Sequence, residues 1–165
     1  MPKKILVTGK PEIGKTTVIR KVADGLQKKG IKVLGFYTQE IRENNKRVGF
    51  KIIGLDGSCG ILAHVNFKSN YRVGRYFVKL DALEECIRNI NKIADAQVLI
   101  IDEIGKMELF SWKFKEFINK IFSEDRIIIA TVGEKFVKKF RENAEVIRVT
   151  SDNRDSVPEI ITHRL

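Results

Sequence analysis

Ile5-Leu6-Val7-Thr8-Gly9-Lys10-Pro11-Glu12-Ile13-Gly14-Lys15-Thr16 is the stretch that decides how this 165-residue chain is read. Its first four residues are a short apolar run ending on glycine, the pattern of a parallel strand buried on both faces. The next eight match G-x-x-x-x-G-K-[ST] at every fixed position. A helix follows from about Gly14, with Val18, Val22 and Leu26 on one face and Gly30 beyond its end. Strand, loop and helix together give each residue a task. Backbone N–H groups of the loop and the helix start form a concave nest for phosphate oxygens, and glycine at 9 and 14 lets the backbone come close. Lys15 is expected to place a point charge on the β- and γ-phosphates of a nucleoside triphosphate, and the Thr16 hydroxyl to ligate Mg²⁺. Lys10, Pro11, Glu12 and Ile13 fill the variable positions, Thr17 follows on the first helical turn, and all five are expected to lie against the nucleotide. Glu12 is ill matched to a polyanion, and a modest loss of affinity is expected from it.

Outward from this stretch, apolar strands alternate with amphipathic helices. Ile31 to Tyr37 reads as a strand, and Lys79 to Ala94 as a helix, because Leu83, Ile87, Ile90 and Ala94 recur at helical spacing. Val98 to Ile101 is uniformly apolar, as a central strand should be. Ser111 to Phe122 is an amphipathic helix, Arg126 to Thr131 a strand, Glu134 to Glu142 a helix and Val146 to Thr150 the last strand. The alternation predicts an α/β fold with helices on both faces of a mostly parallel sheet. Between Tyr37 and Asn66 the period changes. Val48, Phe50 and Ile52 alternate with polar or small residues, as do Ile61, Ala63 and Val65, and Asn44-Asn45 and Asp56-Gly57 supply turns. Residues 37–66 therefore read as an antiparallel β-meander inserted into one domain spanning residues 1–165.

The apolar strand at Val98 ends in Asp102-Glu103, at the edge of the sheet where ligands of open α/β folds sit. Acidic residues often merely terminate strands, but a phosphate loop elsewhere in the chain gives this pair a purpose. Asp102 is expected to hold Mg²⁺, directly or through water, and Glu103 to orient and deprotonate a water attacking the γ-phosphorus. Ile104, Gly105 and Lys106 continue the nucleotide side of the site, with a tight turn that can return a charge to the phosphates. The run Asp102-Glu103-Ile104-Gly105-Lys106-Met107-Glu108-Leu109 resembles the nucleoside-triphosphatase family first described from thermophiles, which includes the human cancer-related nucleoside-triphosphatase. Gly35-Phe36-Tyr37-Thr38 with Arg42-Glu43 and Gly49-Phe50, Val73-Gly74-Arg75-Tyr76, and Asn153-Arg154-Asp155 are similar to the same family. The likeness covers nearly the whole chain. It implies a RecA-like P-loop fold and Mg²⁺-dependent hydrolysis of several nucleoside triphosphates to diphosphate and phosphate. Glu12 departs from it, since the family commonly has glycine there.

Departure of a γ-phosphate builds charge that a second cation usually offsets. Arg72 and Arg75, in a glycine-containing segment after the meander, are candidate arginine fingers, against the plainer reading of a solvated loop. Arg154, after the last strand, is a candidate contact to base or ribose. Tyr37, Phe50, Tyr71 and Trp112 are candidates to stack on a base, although aromatic residues in such positions more often belong to the core.

The whole-chain numbers narrow the alternatives. Two cysteines and two histidines, none at metal-ligand spacing, exclude a structural zinc site, and Cys86 falls on the apolar face of a helix. No apolar run approaches the roughly 18 residues that span a bilayer, and the stretch after Met1-Pro2-Lys3-Lys4 is too short for a signal peptide. A cytoplasmic, monomeric protein without membrane contact is expected. The net charge of +10 favours anionic partners, which are nucleoside triphosphates such as ATP and GTP in the first reading. A hydrolase leads. A small nucleoside or nucleotide kinase is the runner-up, disfavoured by the water-activating acidic pair and the lack of an identifiable acceptor pocket. A nucleotide-switched RNA- or DNA-binding module comes third, supported by the charge but not by any basic cluster interleaved with aromatics.

Overall fold

The computed structural model describes residues 3–93 and 96–165; Ala94, assigned above to a helix, lies outside them, as do Met1 and Pro2. Among the described residues the sheet has nine strands in the order β5-β6-β4-β3-β2-β7-β8-β1-β9. These are β1 (Lys4–Thr8), β2 (Val33–Glu43), β3 (Lys46–Gly54), β4 (Cys59–His64), β5 (Tyr71–Val73), β6 (Tyr76–Val78), β7 (Val98–Ile104), β8 (Ile127–Val132) and β9 (Glu145–Arg148). The helices are α1 (Lys15–Lys28), α2 (Asp81–Asn91), α3 (Trp112–Ser123), α4 (Val137–Phe140) and α5 (Val157–His163). The expectation of a mostly parallel sheet needs correction: β2, β7, β8, β1 and β9 pair in parallel, whereas β2 to β6 pair antiparallel, so the sheet is evenly mixed. The meander extends the same sheet and runs past residue 66, because β5 and β6 continue the antiparallel pairing to Val78. The long helix expected over Glu134 to Glu142 is a 3₁₀ turn at Glu134–Phe136 followed by the single turn of α4.

The central parallel strands β1, β7 and β8 bury both of their faces, whereas β9 at the edge is largely exposed. On β7, Val98 and Ile100 join the core beneath α1 and α5, while Leu99 and Ile101 join the core beneath α2 and α3. β1 divides in the same way, with Ile5 and Val7 on the first side and Leu6 on the second. This two-sided burial is the reason these strands carry no polar alternation. In the meander the chain reverses at Asn44 and Asn45, both with left-handed φ (51° and 62°), a conformation that asparagine tolerates. α3 starts with a conventional cap, the Ser111 hydroxyl accepting from the Phe114 N–H at 3.1 Å. α1 starts at Gly14 with no side-chain cap and no acidic residue in its first turn. Its positive end therefore faces outward at the loop that precedes it.

Candidate active site

The phosphate-loop motif sits between the end of β1 and the start of α1, at the C-terminal edge of the parallel strands. The loop is shaped by its first glycine. Gly9 has φ 153°, and a Cβ there would meet the Val149 carbonyl oxygen at 2.8 Å, so no other residue fits. The Lys15 ammonium folds back over the loop and donates to the carbonyls of Gly9 (2.8 Å) and Lys10 (3.4 Å). Gly14 opens α1, with the Cδ of Arg154 3.8 Å from where its Cβ would be.

Across the loop stands the end of β7. Asp102 is buried, and both carboxylate oxygens are held. Oδ1 accepts from the Thr131 hydroxyl at 2.6 Å, and Oδ2 accepts from the Thr38 N–H at 3.2 Å. Burial raises its pKa above the usual carboxylate value, while the donors of Thr131, Thr16 and Thr38 around it and the nearby Lys15 charge oppose the rise. Glu103 is less buried and also raised, first by desolvation and then by repulsion from Asp102, with Lys15 opposing. Gly105 lies close beneath it, since a Cβ there would stand 2.6 Å from Glu103 Oε1. Glu108, on the 3₁₀ turn Glu108–Phe110, is buried with its pKa pushed well up by desolvation and then by the Glu103 charge.

An open cleft of about 1030 Å³ collects these groups. Gly9, Pro11, Glu12, Gly14, Lys15, Thr16 and Thr17 line one wall, and Asp102, Glu103, Gly105 and Lys106 another. Among the described residues, Lys10, Ile13 and Ile104 lie outside the lining. Ile104 is in the core, and Ile13 packs against the core beneath α1. Arg72, Arg75 and Arg154 are also outside it. Arg72 donates to the Gly74 carbonyl at 2.7 Å and lies over Phe77, and Arg75 donates to the Arg47 carbonyl. Of the four aromatic candidates, Phe50 lines the cleft. Tyr37 packs against the core under the Arg20 guanidinium, Tyr71 stacks on Phe110 at 5.0 Å, and Trp112 is exposed. Sequence reasoning missed the third wall, built by Glu40 and Arg42 of β2, Arg47 of β3, and Lys135 and Phe136 after β8. It also missed Thr131, whose position at the end of a strand beside β7 was the available signal.

The class that emerges is an NTPase enzyme on an α/β fold. The profile of the family described as NTPase matches residues 4–162. The nucleoside-triphosphatase THEP1 of Thermotoga maritima is 46% identical over 161 residues, covering 93% of this chain and 90% of the relative. The mouse cancer-related nucleoside-triphosphatase homolog is 38% identical, covering 98% and 96%. The crystal structure of THEP1 from Aquifex aeolicus superposes with a TM-score of 0.85 at 36% identity, covering 98% of each chain. The solution structure of a human cancer-related nucleoside triphosphatase gives 0.81 at 34%, covering 98% of this chain and 97% of that one. The chain belongs to the NTPase family.

An NTPase family implies a divalent metal cofactor, and the donors present fit a hard cation. Thr16 and Asp102 both line the cleft and offer it oxygen donors. Among the described residues no group of three or more His, Cys, Asp or Glu could hold a metal alone. That suits an ion held by one or two protein oxygens together with phosphates and water, rather than one caged by protein. Among the described residues no helix is long and apolar enough to cross a membrane.

Proposed function

We propose that this protein is a Mg²⁺-dependent nucleoside-triphosphate phosphohydrolase that converts a nucleoside triphosphate and water to the diphosphate and phosphate, with broad tolerance of the base. One observation carries the reading: Lys15 and Thr16 of the phosphate loop line the same cleft as Asp102 and Glu103 at the end of β7. On this reading residues 1–165 are a single RecA-like P-loop domain, and residues 9–17 cradle the phosphates through backbone N–H groups and the uncapped start of α1. Lys15 exchanges its loop carbonyls for the β- and γ-phosphates. Thr16 and Asp102 would hold Mg²⁺, which would supply positive charge to offset the charge that develops on the phosphates. Glu103 takes the proton of the attacking water, a role suited by a pKa above the ordinary carboxylate value. Broad base tolerance is supported by the relatives' names, which specify nucleoside triphosphates and no base.

The test is product analysis after incubation with each of several nucleoside triphosphates, with Mg²⁺ and with chelator, beside Lys15→Ala. Diphosphate and phosphate in equal amounts, from more than one substrate and only with Mg²⁺, is the expected result. Wild-type hydrolysis by Lys15→Ala would remove the phosphate-loop assignment. Phosphorylation of an added nucleoside or nucleotide with negligible hydrolysis would make the protein a kinase, and many-fold stimulation by RNA would make it a nucleic-acid switch.

A further inference from the structure

We infer that Arg47, carried on the antiparallel strand β3, is the arginine that stabilises the departing γ-phosphate, and that Glu12 of the phosphate loop holds it in readiness while the cleft is free of nucleotide. The inference rests on the phosphohydrolase reading above and adds the cation which that reading lacks.

The geometry begins with the β2–β3 hairpin. Arg42 stands opposite Arg47 and Glu40 opposite Phe50, so two cations and a carboxylate are gathered where the hairpin meets the cleft. Glu40 serves both arginines, accepting from Arg47 Nη1 at 3.1 Å and from Arg42 Nε at 2.9 Å. Arg42 is further tied outward to the Asn45 carbonyl at 3.2 Å. Arg47 instead reaches inward: its Nη1 lies 3.4 Å from Oε1 of Glu12, inside the phosphate loop between Gly9 and Gly14. The rest of the guanidinium is braced. Nε donates to the Tyr76 hydroxyl at 2.9 Å, and the group lies over the Phe50 ring at 5.2 Å and near the Tyr76 ring at 5.7 Å. A guanidinium has five N–H donors, so the bonds to Tyr76 and Glu40 persist while those facing Glu12 change partner.

Glu12 then has a physical role. Alone, a carboxylate in this loop only repels phosphate. Paired with Arg47, it keeps a cation against the loop, with the Glu12 side chain 68% exposed and able to swing away. An arriving triphosphate carries more negative charge than one carboxylate and offers planar pairs of oxygens that suit the arginine fork. Arg47 exchanges Glu12 for the γ-phosphate oxygens and the bridging oxygen. As the water oxygen bonds to phosphorus and its proton passes to Glu103, the bond from phosphorus to the bridging oxygen breaks. The electron pair leaves with the diphosphate, and Arg47 neutralises that charge. The sequence-based candidates Arg72 and Arg75 are occupied elsewhere, on Gly74 and Phe77 and on the Arg47 carbonyl, respectively.

The experiment compares wild type, Arg47→Ala, Arg47→Lys, Glu12→Gln and Lys15→Ala by single-turnover ATP hydrolysis, MgADP affinity and trapping of MgADP with aluminium fluoride. An arginine finger is worth roughly 10³–10⁵-fold in general, so Arg47→Ala should lose at least about 10²-fold in rate. Its MgADP affinity should stay within a few-fold of wild type, its fluoride complex should be lost, and added guanidinium should restore part of the rate. Arg47→Lys should keep affinity and lose rate, which tests the same point should the alanine variant fail to fold. Glu12→Gln should bind MgATP several-fold more tightly, and unchanged or weaker binding would overturn the holding role. If Arg47→Ala and Arg47→Lys both turn over at near wild-type rates while Lys15→Ala is inactive, Arg47 is not the finger and the phosphohydrolase reading survives. If Lys15→Ala is active too, that reading itself falls.

Discussion

The two halves of the sheet bury their side chains differently, and the site is built from both. In the parallel half, β7 and β1 sit between two helical layers, and nearly every residue is inaccessible to water. In the antiparallel half, β3 and β4 mix buried with exposed positions, and Ile61 is 42% exposed. The first half supplies the rigid edge on which Gly9, Lys15, Thr16, Asp102 and Glu103 are mounted. The second supplies Glu40, Arg42, Arg47 and Phe50 from a hairpin that reaches over that edge. On the proposed reading, the groups that need a fixed position come from the doubly covered half, and the arginine inferred to change partner comes from the singly covered one.

This contrast can be broken by substitution. Leu99→Ala, in the fully buried centre of β7, should cost about 2–5 kcal/mol of stability, read by chemical denaturation, because the packed layers on both sides cannot collapse into the cavity. Thr131→Val keeps the side-chain shape but leaves the buried Asp102 carboxylate one donor short. It should cost about 1–3 kcal/mol in the same assay, and a neutral effect would mean that the Thr131 bond adds nothing to holding the buried Asp102 carboxyl.

Glu108→Gln tests the electrostatics at the join. Because burial and the Glu103 charge raise the Glu108 pKa, the folded protein holds that proton to higher pH than the unfolded chain does. Stability is therefore lost as pH climbs from the ordinary carboxylate range through the raised pKa. The metal-free glutamine variant should be more stable than wild type at neutral pH and should lose that advantage in acid. Denaturation at several pH values reads the difference, and an advantage of equal size at every pH would contradict it. Ile61→Ala, on the half-open side, should change stability by under about 0.5 kcal/mol, and a larger loss would show that side to be covered more than its exposure indicates.

The same contrast explains what was legible in the sequence. Two-sided burial writes itself as continuous apolar runs, so β1, β7 and β8 could be read directly, and the phosphate loop and Asp102-Glu103 follow from their ends. The meander writes only a weak alternation. Its strands could be seen as far as Val65, but β5 and β6 have three residues each, too few for any period. α5 went unread for a similar reason: over seven residues, Val157 and Ile161 one turn apart, with Pro158, make up its buried face. Arg47 could not be placed beforehand, because its reach to Glu12 depends on the hairpin register and on the irregularity between Ile41 and Arg42, which no local pattern encodes. Arg72 and Arg75 were better advertised by glycine and lie outside the cleft lining.

The central claim is that the phosphate loop and the strand-terminal carboxylates divide binding from chemistry, and Glu103→Gln against Asp102→Asn tests it most directly. Both variants keep side-chain volume, and nucleotide affinity with and without Mg²⁺ is measured beside single-turnover hydrolysis. Glu103→Gln should bind MgATP within a few-fold of wild type and hydrolyse it about 10²–10⁴-fold more slowly, because an amide positions water but takes no proton. Asp102→Asn should lose the Mg²⁺-dependent part of binding as well. Hydrolysis by Glu103→Gln within a few-fold of wild type would contradict the account.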